Sequence, residues 1–257
     1  MEHAESAGRA GRPPRARPGM RSRKTTLAWA AAALVAALVV AALFLGGTGT
    51  MIFSQPPGQV TRLSPTEIEF TATVTAASFD RRLPMPGYHA VVWRGGGAAH
   101  AALFRADVTD LQVLDALEAL GAKPGDALGM ATWDDRKDAA SRAPDQVIAG
   151  PPVEVLVRLP GRPQPVPLAD LLEDRGAASG AAKRTASVEL RFGGHRANIP
   201  RWHSGCIVCL YSCPRSKLGN ARYTVRDYVK DETRFRARTD LLPPDGTKVA
   251  IVVLAAR

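Results

Sequence analysis

The longest apolar pattern in the chain is an uncharged run at residues 25–45, TTLAWAAAALVAALVVAALFL. About twenty apolar residues in a helix span roughly 30 Å, the thickness of a bilayer core, so the run predicts a transmembrane helix. Arg21, Arg23 and Lys24 precede it, and the stretch GGTGTMIFSQPPGQ that follows carries no charge. Positive charge on one flank alone directs the N-terminus to the cytoplasm and the rest of the chain outside the membrane. The run exceeds the apolar part of a usual signal peptide, and no small-x-small cleavage site follows it. An uncleaved anchor is therefore expected over a cleaved leader. With no cysteine after the run, a bacterial lipoprotein anchor is excluded.

Beyond a short linker the pattern changes to that of a folded domain. Residues 66–77 (TEIEFTATVTAA) are rich in β-branched residues and partly alternate, which predicts a strand. Residues 88–94 (YHAVVWR) and 101–106 (AALFRA) predict two more, joined by a hairpin turn at Gly95, Gly96 and Gly97. One soluble helix is expected at about 110–120. Thr109 or Asp110 caps it, Leu111, Val113, Leu114, Leu117 and Leu120 form its apolar stripe, and Gly121 with Pro124 ends it. Short β-like runs follow at 129–133, 152–159, 187–192 and 247–255, with one or two helical turns near 168–174. The expected fold class is α+β or mainly β: one N-terminal transmembrane helix, then a single β-rich domain with one main helix. The expected organisation is a basic disordered cytoplasmic tail at 1–24, a signal-anchor helix at 25–46, a linker at 47–60 and an extracytoplasmic domain at 61–257.

Charge sharpens this division. The chain of 257 residues carries a formal +10. Residues 1–24 hold seven Arg or Lys against Glu2 and Glu5, a net +5, or half the total. Concentrated beside an apolar run, this charge sets topology. It removes the case for nucleic acid that a basic chain otherwise raises. The expected location is the cell membrane, single-pass, with the bilayer as partner through residues 25–45.

The cysteines carry the candidate chemistry. All three, Cys206, Cys209 and Cys213, lie within eight residues, whereas a disulfide-stapled fold spreads an even number along its length. The stretch HSGCIVCLYSCP reads His203-x2-Cys206-x2-Cys209-x3-Cys213-Pro214. Bacterial ferredoxins bind a [4Fe–4S] cluster with C-x2-C-x2-C-x3-C-P. Here the last three cysteines match, and His203 stands where the first would be. Histidine replaces thiolate in some iron–sulfur centres and raises their potential. The candidate ligands are thus Cys206, Cys209, Cys213 and His203. The expected cofactor is an iron–sulfur cluster, with zinc in a Cys3His set as the alternative. A disulfide with one free thiol and three inert buried thiols remain as further readings.

Two segments resemble bacterial proteins of the YdjY-domain family. One is His100, Leu103 and Phe104, then Asp107 and Val108, then the helix end Ala116, Leu117, Glu118, Ala119, Leu120 and Gly121 with Lys123, Pro124 and Gly125. The other runs from Gly205 through the cysteines to Pro214, followed by Gly219, Asn220 and Ala221, with Leu242, Pro243, Pro244, Asp245, Gly246 and Thr247 near the end. The resemblance covers roughly residues 60–257. It implies a ferredoxin-like membrane or lipoprotein domain without implying a particular reaction.

No other motif points to catalysis. His100 is a candidate ligand or base, and His89 and His195 offer less. The pairs Asp134-Asp135 and Glu173-Asp174 read as solvated turns, because a general acid and base must face one substrate. No nucleophile elbow, P-loop or zinc-protease motif occurs, and no small-molecule substrate is indicated. Arg215, Lys217, Arg222 and Arg226 form either a docking face for an acidic redox partner or a solvated basic surface. The expected function is a membrane-anchored electron carrier. The alternative is a non-enzymatic envelope binding or assembly module with structural cysteines.

Overall fold

The computed structural model describes residues 58–255 except 82–85, 126–127, 137, 139, 142–144 and 177–183. The expected transmembrane run at 25–45 lies outside the described residues. Among the described residues, no helix is long and apolar enough to cross a membrane.

The domain is mostly β. Its main sheet runs in the order β6 (Val166–Pro167), β5 (Val153–Arg158), β13 (Lys248–Ala255), β2 (Glu67–Val74), β4 (Ala102–Ala106), β3 (His89–Trp93), β10 (Cys206–Cys209), β11 (Leu218–Asn220) and β9 (Leu190–Phe192). A further strand, β1 (Thr61–Ser64), pairs with β2. The sheet curls back on itself: Pro152, beside the penultimate strand β5, bridges Arg191 of β9 at the other end, and the Phe192 N–H donates to the Pro151 carbonyl at 2.9 Å. A small second sheet holds β12 (Phe235–Ala237), β7 (Leu172–Asp174) and β8 (Arg184–Thr185).

The alternating strands behave as their period requires. In β2, Ile68, Phe70, Ala72 and Val74 are all buried while their neighbours are not, so one face meets the core. β13 pairs antiparallel with β2 from Lys248–Thr73 to Leu254–Glu67. It also pairs with β5 on its other edge, which suits its nearly continuous apolar sequence.

Short helices connect the strands: α1 (Ala76–Asp80), α2 (Asp110–Ala119), α3 (Met130–Asp135), α4 (Ile199–Trp202) and α5 (Val225–Val229). As expected, α2 is the main one among the described residues. Thr109 caps it through a reciprocal pair with Gln112, and Gly121 takes φ +89° just past its end. Val113, Leu114 and Leu117 are buried, each worth about 1.5–3 kcal/mol relative to exposure. Leu111 faces outward instead.

Three local expectations change. β3 and β4 are parallel, with His89 opposite Ala102 and Trp93 opposite Ala106, so the glycines at 95–97 do not make a hairpin. The returning chain instead runs beside residues 203–205. There the Gly97 N–H donates to the His203 carbonyl (3.0 Å) and the Ala98 N–H to the Ser204 carbonyl (3.1 Å). Residues 130–135 form α3 in place of a strand, with Met130 and Trp133, three apart, both packed on the core. Glu173 and Asp174 are buried in β7 and not in a solvated turn. Asp174 is held there by the Gly176 N–H (2.9 Å) and the Arg234 N–H (2.8 Å).

Candidate metal centre

β10 is buried from end to end and sits between β3 and β11. In a regular strand, residues three apart point to opposite faces. Cys206 and Cys209 nevertheless bring their sulfurs to 2.9 Å. The cause lies in the pairing with β3, where Cys206 opposes Val92, Val208 opposes Val91 and Cys209 opposes His89, with the register shifting twice. Such bulges turn the strand locally and re-aim its side chains. They allow a Cys-x2-Cys pair on a strand to share one site.

The third member is His89, the first residue of β3. Its Nδ1 stands 3.4 Å from Cys206 Sγ and 3.7 Å from Cys209 Sγ. Among the described residues, His89, Cys206 and Cys209 form the group able to hold a metal ion, with ligand atoms within 4.8 Å of one another and all three residues buried. All three cysteines are free thiols.

Cys213 lies just beyond β10, against Cys209 and the Tyr88 hydroxyl. Its turn is latched on several sides. Ser216 donates its N–H (3.2 Å) and its Oγ (2.8 Å) to the Cys213 carbonyl. Asn198 Nδ2 donates to the Pro214 carbonyl at 2.6 Å, and Ser212 Oγ to that of Asn220 at 3.0 Å. Tyr88 stacks on Tyr211 with centroids 4.9 Å apart, and its buried hydroxyl has no nitrogen or oxygen partner.

Burial pushes every thiol up, but the neighbours divide them. Against that burial, hydrogen bonding with Cys209 and the charge and hydrogen bond of His89 bring Cys206 down to about 6. Hydrogen bonding with Cys209 and Tyr88 brings Cys213 down to about 7. Cys209, central and desolvated, donates to both neighbours and is pushed well above the ordinary thiol value. Thiols whose protons are held weakly in this way are the ones that a soft cation displaces readily.

His203 takes no part in this group. It ends α4 in a left-handed conformation (φ 40°) with an exposed side chain, and its carbonyl receives Gly97. His100 is exposed too, its ring bonded to the Gly97 carbonyl at 3.0 Å. The sequence signal for His89 was faint: a lone imidazole in an otherwise apolar strand, 117 residues before Cys206. The basic residues after the motif also separate. Lys217 is buried and paired with Asp110 at 3.4 Å, and Arg226 pairs with Asp135 and Asp145. Arg215 lies over Trp133 and Trp202.

Fold and site together define a β-rich domain with a buried cysteine–histidine group within its main sheet. The chain belongs to the YdjY-domain family, whose profile it matches over residues 64–254. It is 26% identical over 164 residues to the uncharacterized protein YdjY of Escherichia coli (strain K12), covering 63% of this chain and 65% of that relative. The aligned part is thus somewhat less than two thirds of that protein. No solved structure matches.

Proposed function

We propose that this domain is an electron carrier built around one soft metal ion, held by Cys206, Cys209 and His89 with Cys213 as fourth donor. The carrying observation is the donor spacing. Tetrahedral bonds of about 2.3 Å to sulfur and about 2.0 Å to nitrogen set neighbouring S and N atoms about 3.5 Å apart and neighbouring sulfurs about 3.8 Å apart. The two N–S distances, 3.4 and 3.7 Å, already fit, and the 2.9 Å sulfur pair opens by less than 1 Å. A [4Fe–4S] cluster gives each thiolate its own iron, which would need the sulfurs to move much farther apart.

Four protein donors close the coordination shell and leave no position for substrate, so the chemistry of such a centre is outer-sphere or structural. Electron transfer is favoured because His89 also lines a surface cleft, which brings one edge of an otherwise enclosed group to the outside. The burial of the ligands in the heart of the sheet favours a second reading, a structural zinc ion. The apolar run at 25–45 and its one-sided charge support tethering of this domain to the outer face of a membrane, where its partner would be another envelope protein.

The test is metal, sulfide and visible-spectrum analysis of the chain purified without oxygen. One iron per chain without acid-labile sulfide, with absorption that bleaches on reduction, is the expected result. Iron with matching sulfide would replace the single ion by a cluster on the same ligands. Zinc alone would establish the structural reading, and a metal-free chain with a Cys206–Cys209 disulfide would end both. A reporter fused after Arg257 tests the topology, and cytoplasmic activity there would overturn it.

A further inference from the structure

A cleft of about 330 Å³ opens beside the buried His89. Its lining includes His89, Ala98, His100, Trp202, Ser204 and Arg215, and no acidic residue. Its volume is at the lower end of small-molecule sites, which run from about 300 to 1,000 Å³.

Arg215 is its unusual member. The guanidinium carbon lies 4.0 Å from the Trp133 ring centroid and 4.3 Å from that of Trp202, and these centroids are 6.0 Å apart, so the two indoles flank it at roughly a right angle. A guanidinium donates in its own plane, and half-buried Arg215 lines the cleft. Among the described residues, the Arg215 side chain has no acidic partner, and its Nε is buried with no hydrogen-bond partner at all. A second cation stands close by: Arg136 is 3.7 Å above the same Trp133 ring. Burial and the charge of Arg215 both depress the basicity of Arg136. Arg215, lacking a carboxylate partner, thus gives the cleft a positive charge among Trp202 and small apolar residues, with Arg136 across the Trp133 ring adding to it. Five other arginines, Arg158, Arg196, Arg226, Arg234 and Arg238, each meet a carboxylate.

We propose that this cleft binds a small planar organic carboxylate. Its anionic end would meet the Arg215 guanidinium and its apolar body would lie along Trp202, Ala98 and Ala101. Arginine matches carboxylate through paired N–H donors, and the two indoles hold the guanidinium beside the cleft. None of the cysteine sulfurs lines the cleft, and His89 alone borders both it and the cysteine group.

Calorimetry on the full chain tests it with three probes: benzoate, its neutral counterpart benzamide, and inorganic phosphate. Saturable benzoate binding with a Kd below about 1 mM, at least about tenfold tighter than benzamide and than phosphate, is expected. Arg215→Gln should weaken benzoate at least about tenfold, and Ala98→Leu, which fills the cleft, should do the same with Arg215 intact. Equal affinity for benzoate and benzamide would overturn the proposal, since charge would then play no part. Phosphate binding as tightly as benzoate would remove the apolar body from the assignment and overturn it too. The benzamide comparison uses the unaltered chain and so decides even where Arg215→Gln fails to fold. Metal content unchanged in Ala98→Leu would show that any loss belongs to the cleft.

Discussion

His89 Nδ1 stands 3.4 Å from Cys206 Sγ although the two residues are 117 positions apart, because β3 and β10 are hydrogen-bonded neighbours. A local cysteine motif thus acquires its nitrogen donor from across the sheet. The same pairing supplies the bulges that bring Cys206 and Cys209 onto one site, so the strand register and the donor set have a single origin.

That origin separates two histidines. His89→Ala should lower bound metal to less than about a tenth of the unaltered chain, and Cys209→Ser should do likewise, since losing a ligand costs far more than a tenfold loss in affinity at a closed site. His203→Ala should keep its metal, its ring being exposed and outside the group. Metal per chain by mass spectrometry is the measurement. Loss in His203→Ala with retention in His89→Ala would refute the site.

The helix at 110–119 was legible in the sequence because its cap, stripe and stop are all local signals, and β2, β5 and β13 because alternation or continuous apolarity marks them. The cysteines were legible as a cluster from spacing alone. His89 was not, because its role depends on which strand lies beside β10, a long-range fact. The parallel pairing of β3 and β4 was hidden for a similar reason: three glycines read locally as a tight turn, whereas here they allow close passage along residues 203–205. The burial of Lys217 could not be read from a basic stretch either, since only the folded chain places Asp110 opposite it.

Gly205 marks that close passage. It has φ +67°, and a Cβ there would come within 2.7 Å of the Gly96 Cα. Gly205→Ala combines a left-handed strain of order 1–3 kcal/mol with a backbone clash that neither segment easily relieves. It should destabilise the domain by at least about 2 kcal/mol in urea unfolding. It should also weaken metal binding, because the displaced residue adjoins Cys206. A change below about 0.5 kcal/mol would mean that the passage is looser than described.

Lys217 and Asp110 are a buried ion pair at 3.4 Å, with the ammonium also donating to the Arg215 carbonyl at 3.1 Å. Asp110 begins α2, where the helix dipole favours a negative charge. Lys217→Met strands that carboxylate in the interior and should cost about 3–5 kcal/mol. Adding Asp110→Asn should recover much of the loss. Additive losses in the double variant, measured by urea midpoint at constant slope, would show that the two groups do not act as a pair.

Stability of the metal-free domain should depend on pH in a way set by the thiols. Cys206 is brought down to about 6 and Cys213 to about 7, below the ordinary 9.0. Over that interval the folded state binds fewer protons than the unfolded one, so stability rises with pH. This contribution is complete above about 9 and is lost as pH falls through 7 and then 6. Cys209 is shifted the other way, its burial and its donation to both neighbours favouring the protonated form. Its contribution is therefore present below the ordinary thiol value and lost as pH rises above it. The two trends place the maximum near pH 8–9. Urea midpoints from pH 5 to pH 10, in reductant and chelator, measure this directly. Replacing Cys206 and Cys213 by serine should flatten the acidic limb, and a limb that survives both replacements would assign it to other groups.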